Sequence, residues 1–150
     1  MYQTVTITTA TAEENENVVY ETASKQCHIA INEELGYIQL HMEGKVEVEE
    51  YKEVMEKLLQ IALPLPYTHV IYDIKGLTNT DPRARAWYVG TFLPKATKTL
   101  DRDLRSAMIQ PSSLFQRMAV NTITKAMKAM GVKAETKYFD DKQSALDWLY

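Results

Sequence analysis

Cys27 is the one cysteine in the 150-residue sequence. An internal disulfide is thereby excluded, and a lone thiol fits a reducing compartment, so the cytoplasm is the expected location. Glycine is equally sparse. Gly36, Gly44, Gly76, Gly90 and Gly131 are scattered, with neither the Gly-x-Gly-x-x-Gly nor the Walker spacing that lets backbone amides cradle phosphates. No Gly-x-Ser-x-Gly elbow is present to present a hydrolase nucleophile. No apolar run approaches the roughly 18 residues of a membrane span, so no insertion into a bilayer is expected. The opening Met1-Tyr2-Gln3-Thr4 lacks the basic and apolar regions of a secretory leader. There is no basic run and no DNA- or RNA-binding motif, which argues against a nucleic-acid partner.

What remains is an ordinary globular composition, 45% hydrophobic and 25% charged with a net charge of −3. It is too apolar and too weakly charged for a disordered chain, and its length suits one domain with one core. The small net charge hides a lopsided layout. Residues 1–74 carry four basic and thirteen acidic residues, a net of −9, whereas residues 75–128 carry ten basic and three acidic, a net of +7. Such asymmetry either guides association with an oppositely charged surface or is neutralised when the halves fold together.

Residues 1–26 read as an N-terminal arm, weakly ordered or forming a short strand. Val5 and Ile7 alternate with threonines, but the acidic stretch from Glu13 to Asn17 interrupts them. Residues 27–150 form the predicted domain. Cys27, Ile29 and Ile31, then Ile38, Leu40 and Met42, alternate with polar neighbours around Leu35-Gly36, predicting a β-hairpin. Over residues 47–62 the apolar period changes to three and four, predicting an amphipathic helix with an acidic outer face, stopped by Pro64 and Pro66. Residues 68–74 read as a buried strand. Residues 76–80 read as a loop, and Asp81-Pro82 as a helix start, with a capping carboxylate and proline at the first helical position. That helix runs toward Lys98, with Pro94 as a kink or early end. A strand over 104–109, a helix over 113–130 capped by Ser112 or Ser113, a strand over 134–139 and a short final helix complete the order. The expected fold class is α/β: a single mixed, mostly parallel sheet opened by an antiparallel hairpin, with helices packed on it.

The hairpin through Gly44, the strand His69-Val70-Ile71-Tyr72-Asp73-Ile74, the segments Ala86-Trp87 and Phe92-Leu93-Pro94-Lys95-Ala96, and the ending Tyr138-Phe139-Asp140-Asp141 with Ala145-Leu146-Asp147-Trp148-Leu149 together resemble the STAS-related, SpoIIAA-like proteins, a superfamily bordering on the CRAL-TRIO lipid-binding fold. The resemblance implies a non-enzymatic regulatory or scaffolding role, sometimes as a phospho-switched partner of kinases and anti-sigma factors. The family's switch motif, an Asp-Ser-Ser-Gly-like loop after the third strand, is replaced here by Lys75 to Arg83 without a serine. Thr80 is its nearest stand-in.

Three candidate sites follow. On the helix from Pro82, Tyr88, Val89, Phe92, Leu93 and Ala96 share the core face. Trp87 falls opposite, on a stripe with Arg83, Gly90, Thr91, Pro94 and Lys98. A tryptophan outside the core beside a glycine reads as a partner interface, here of a homodimer or with a regulatory protein. The loop residues Thr78, Thr80, Asp81 and Arg83 form a possible anion or switch site at the helix start. A cleft between helices and sheet would make the chain a carrier of a nonpolar or lipid-like small ligand, with Met118, Met127 and Met130 as adaptable filling.

A weak enzyme using Asp73, Thr80 and Arg83 is a further alternative, although no second acid, base or nucleophile lies near Asp73 in sequence. His28 and His41 share one hairpin face, diagonal to each other if Leu35-Gly36 is a two-residue turn, and read as ordinary surface histidines rather than a metal pair. His69 reads as a hydrogen-bonded core residue. No cofactor is implied.

Overall fold

The computed structural model of the chain describes residues 6–111 and 114–150. In chain order these form α1 (Thr9–Glu14), β1 (Glu16–Glu21), β2 (Cys27–Asn32), β3 (Tyr37–Met42), β4 (Gly44–Val46), α2 (Val48–Ala62), β5 (His69–Asp73) and β6 (Leu77–Thr80). There follow α3 (Pro82–Trp87), a π-helical turn (Tyr88–Phe92), α4 (Leu93–Leu100), β7 (Leu104–Ile109), α5 (Leu114–Ala129), β8 (Ala134–Phe139) and α6 (Lys142–Leu149).

The main sheet has the order β1-β2-β3-β5-β7-β8. Its first two pairings are antiparallel and the other three parallel. This is the mixed α/β architecture that alternation of strand and helix periods predicts. Because side chains alternate across a strand, each strand feeds two cores. Ile29, Ile38 and Leu40 meet Val54, Met55 and Leu58 of α2 and Tyr88, Phe92 and Leu93 of the following helices. Tyr37, Ile71, Ala107 and Ile109 meet Ala12 of α1 and Ala145, Leu146 and Leu149 of α6 on the other face. Ile29, Leu40 and Ile71 are wholly buried, each worth about 1.5–3 kcal/mol relative to exposure.

Several local expectations are revised. Within the N-terminal arm, residues 9–14 are helical and residues 16–21 form the edge strand of the sheet. The strand begins within the acidic stretch rather than at Ile7, and Glu16 turns inward to the Lys142 ammonium and the Tyr37 hydroxyl. Val5 lies outside the described residues. The hairpin turn is not Leu35-Gly36 alone: Asn32 pairs with Tyr37, leaving a four-residue loop. The Asn32 side chain accepts the Leu35 amide, and Gly36 takes a φ of +80° that an L side chain resists. Residues 77–80 are not a loop but strand β6, parallel to β4 in a separate two-stranded sheet.

Pro94 neither ends the helix nor breaks it abruptly. Proline lacks an amide to give and its ring crowds the carbonyl four residues back. The chain widens into a π turn just before it, the Leu93 amide donating to the Tyr88 carbonyl, and α4 then continues to Leu100. Met118 on α5 and Met130 just past its end are exposed at 62% and 44%, so of the three only Met127 fills the interior. Ser112 and Ser113, expected to cap α5, and the side chains of Phe115 and Ala119, expected on its inner face, lie outside the described residues.

Candidate functional site

The outer face of α3, the π turn and α4 is set by α2, onto which the inner face packs. Arg83, Gly90, Thr91, Pro94 and Lys98 are all exposed. A Cβ built on Gly90 would meet no atom within 4 Å. Trp87 does not stand on this outer face. It is half-buried, with its ring edge-on to Tyr51 at 6.3 Å, tilted on Phe92 at 5.4 Å, and with the Lys52 ammonium 5.9 Å above it. A uniform 100° per residue misplaces it, since the helix is interrupted one residue later by the π turn and α2 lies across that side.

The switch loop is internally satisfied. Asp81 accepts the Arg83 amide at 2.8 Å and pairs with the Arg83 guanidinium at 2.8 Å. The Arg83 bonds hold the Asp81 carboxyl below its ordinary value. Thr78 is exposed, whereas Thr80 is 6% exposed on β6. Arg85 turns the other way, toward the core, and donates to the Thr80 carbonyl at 2.9 Å.

On the sheet face that carries α6, the corrected hairpin register brings His28 directly opposite His41, with rings stacked 4.7 Å apart. Across β3–β5, His41 Nδ1 lies 3.2 Å from Asp73 Oδ2, and its Nε2 lies 3.8 Å from Glu43. Both histidines are half-buried rather than ordinary surface groups. Asp73 is therefore not the isolated carboxylate its sequence neighbours suggest; its partner lies 32 positions earlier and only strand pairing reveals it. Its second oxygen accepts the Lys75 amide. Among the described residues no group of three or more His, Cys, Asp or Glu is placed to hold a metal. His69 sits at the strand end with its ring edge-on to Tyr150 at 5.0 Å, and among the described residues this aromatic contact stands in place of the expected side-chain hydrogen bond. Cys27 is fully enclosed, its thiol pushed up to about 12 by burial and then by the Glu50 charge, which makes it a poor nucleophile.

The opposite sheet face holds an apolar cleft between sheet and helices. One part, about 60 Å³, is walled by Met42, Met55, Met108 and Met127 and carries Tyr51, Tyr72, Tyr88 and Arg85. A second, about 130 Å³, lies among Ile38, Leu58, Val70, Phe92, Leu93 and Val132. Tyr72, Tyr88 and Met127 are common to both walls. The sequence pattern points to methionine here only through Met118, Met127 and Met130; Met42, Met55 and Met108 come from strands and α2, where no stripe in sequence joins them.

A family model described as SpoIIAA-like matches residues 37–150. The structure of an uncharacterized protein of the DUF3478 family with a SpoIIAA-like fold, from Shewanella loihica PV-4, is similar with a TM-score of 0.50 and 24% identity, over 90% of this chain and 92% of that one. No curated protein matches. No helix among the described residues is long and apolar enough to cross a membrane.

Proposed function

The chain belongs to the SpoIIAA-like family, and on that premise we propose that it is a non-enzymatic STAS-type binding module whose outer α3–α4 face receives a second copy of the chain. The observation that carries this is the face itself: Gly90, Thr91 and Pro94 form a small-residue surface over a π turn, open to solvent and flanked by Lys98. Small side chains allow close backbone approach, and π turns occur frequently at functional sites. A regulatory protein partner in the cytoplasm would use the same surface. Trp87 supports the face from beneath, through Tyr51 and Phe92, rather than inserting into the partner.

The enzymatic alternative is not our reading. Asp73 spends its oxygens on His41 and the Lys75 amide, and Arg83 is held by Asp81.

The test is light scattering of the whole chain across a wide concentration range. The wild type should dimerise and Gly90→Glu should not, while melting as the wild-type monomer does, because a Cβ added at this exposed position meets no atom within 4 Å. A wild type that stays monomeric at high concentration ends this reading.

A second reading is favoured by the apolar cleft: the chain carries a nonpolar small ligand between helices and sheet. Native mass spectrometry of freshly purified protein should then show a retained mass that unfolding releases.

A further inference from the structure

Resting on that second reading, we propose that the cleft takes an apolar monocarboxylate of small size, its head held by Arg85 and the hydroxyls of Tyr51, Tyr72 and Tyr88, its body in the adjoining cavity. The polar groups define the head. Tyr51 and Tyr88 are 5% and 8% exposed, yet none of the three tyrosine hydroxyls has a hydrogen-bond partner among the described residues. Among the described residues, the enclosed side-chain atoms left without a partner are Gln39 Oε1 and Arg105 Nε, so the three tyrosine oxygens are not fully enclosed, and all three residues line the cleft.

The phenols are mutual neighbours. Burial first, and then the charge of one another's phenolates, pushes the Tyr51 and Tyr88 hydroxyls up, and burial alone pushes Tyr72 up to about 12. They are therefore protonated donors at any physiological pH. Arg85 stands on the same wall. It gives one N–H to the Thr80 carbonyl and faces no carboxylate at ion-pair distance among the described residues. A guanidinium has five N–H donors and no acceptor, and a half-buried one in apolar surroundings is normally paired.

Three phenols and a cation line this part of the cleft together with Thr80, Thr124 and Thr136, and no carboxylate is among them. Their complement is an anion with planar oxygens, to which guanidinium bonds are shortest and strongest. The adjoining part is walled mostly by apolar side chains, with Asp101, Arg102 and Lys133 as its charged members, and suits an apolar body. Its volume, about 130 Å³, is close to the roughly 150 Å³ of an apolar cavity known to accept benzene. A single ring suits that volume, with a short chain reaching from it to the part that holds the head.

Isothermal titration of the full-length protein at neutral pH with 4-phenylbutyrate, and with the alcohol and amine of the same body, tests the assignment. The acid should bind at least tenfold more tightly than the alcohol, and the amine most weakly. Arg85→Gln should bring acid and alcohol level, and Tyr72→Phe, which removes only a hydroxyl, should narrow the gap severalfold even if Arg85→Gln fails to fold. Equal binding of acid and alcohol by the wild type would overturn the head assignment and leave the carrier reading standing. Binding of none of the three, the result for a cleft that holds only water, would overturn both.

Discussion

His41 and Asp73 meet across the β3–β5 pairing with Nδ1 3.2 Å from Oδ2, while His28 stacks on the other side of the same imidazole. The two histidines are driven apart by one neighbourhood. The Asp73 hydrogen bond, acting against burial, raises His41 above its ordinary 6.5, whereas burial and then the His41 charge lower His28. Burial alone would raise the Asp73 carboxyl, but the bond and charge of His41 bring it below its ordinary value.

The sign of the pH dependence follows. A raised histidine contributes stability that is full below its unfolded value and fades as pH rises through the folded one. His28, lowered, acts oppositely and opposes folding as pH falls through 6.5. Asp73→Asn should therefore cost about 1 kcal/mol near pH 6 and less near pH 8, measured by urea unfolding at both. In NMR titration the His41 midpoint should lie above that of His28, and Asp73→Asn should draw the two together. Coincident midpoints in the wild type would refute the arrangement.

Trp87 distinguishes packing from interface. Its ring rests on Tyr51 and Phe92 within one chain, so Trp87→Ala should lower stability by about 2 kcal/mol, less than for a fully buried tryptophan. The loss should be the same at low and high protein concentration. A loss that grows with concentration would return the ring to the interface between copies.

Most of the architecture is legible because each strand and helix has a period that its own residues display. Ile29 and Leu40 alternate, Val54 and Leu58 recur at four, and Asp81-Pro82 opens a helix whose carboxylate does cap it. What is hidden depends on residues far apart. The four-residue turn at Glu33 to Gly36 looks like a shorter one, and that change of register makes His28 face His41. The π turn before Pro94 moves Trp87 off its expected stripe. Strand β6 alternates too little to betray itself, since Thr78 and Asn79 are both exposed and only the pairing with β4 defines it. The cleft is less legible still: Tyr51, Tyr72, Tyr88 and Arg85 come from four different elements, and each alone reads as core or surface.

The link between chain ends is an enclosed ion pair. Lys142 and Glu16 have side chains 8% and 12% exposed and are bonded to each other, with the Tyr37 hydroxyl also donating to Glu16. Glu16→Ala leaves the ammonium enclosed and without its nearest anion, which should cost about 3 kcal/mol. Lys142→Met should cost less, because Glu16 keeps the Tyr37 donor. Joint replacement of both by apolar residues should recover part of the loss. Urea midpoints of the three variants check this, and equal losses for Glu16→Ala and Lys142→Met would contradict it.

Gln39 presents the opposite case, a polar group whose removal should help. It is 5% exposed, it lies between Ala30 and Ile71 in the sheet, and its Oε1 is enclosed without a hydrogen-bond partner. A buried acceptor that loses water and gains nothing costs about 1–3 kcal/mol, and methionine has nearly the same length and shape without that penalty. Gln39→Met should therefore raise stability by about 1 kcal/mol, with the midpoint of urea unfolding moving up and its slope unchanged. Since His41 is its neighbour two positions along the same face, the His41 NMR midpoint serves as a control and should stay in place. A fall in stability would mean that Oε1 engages a bound water or ligand on this face and that its enclosure is not idle.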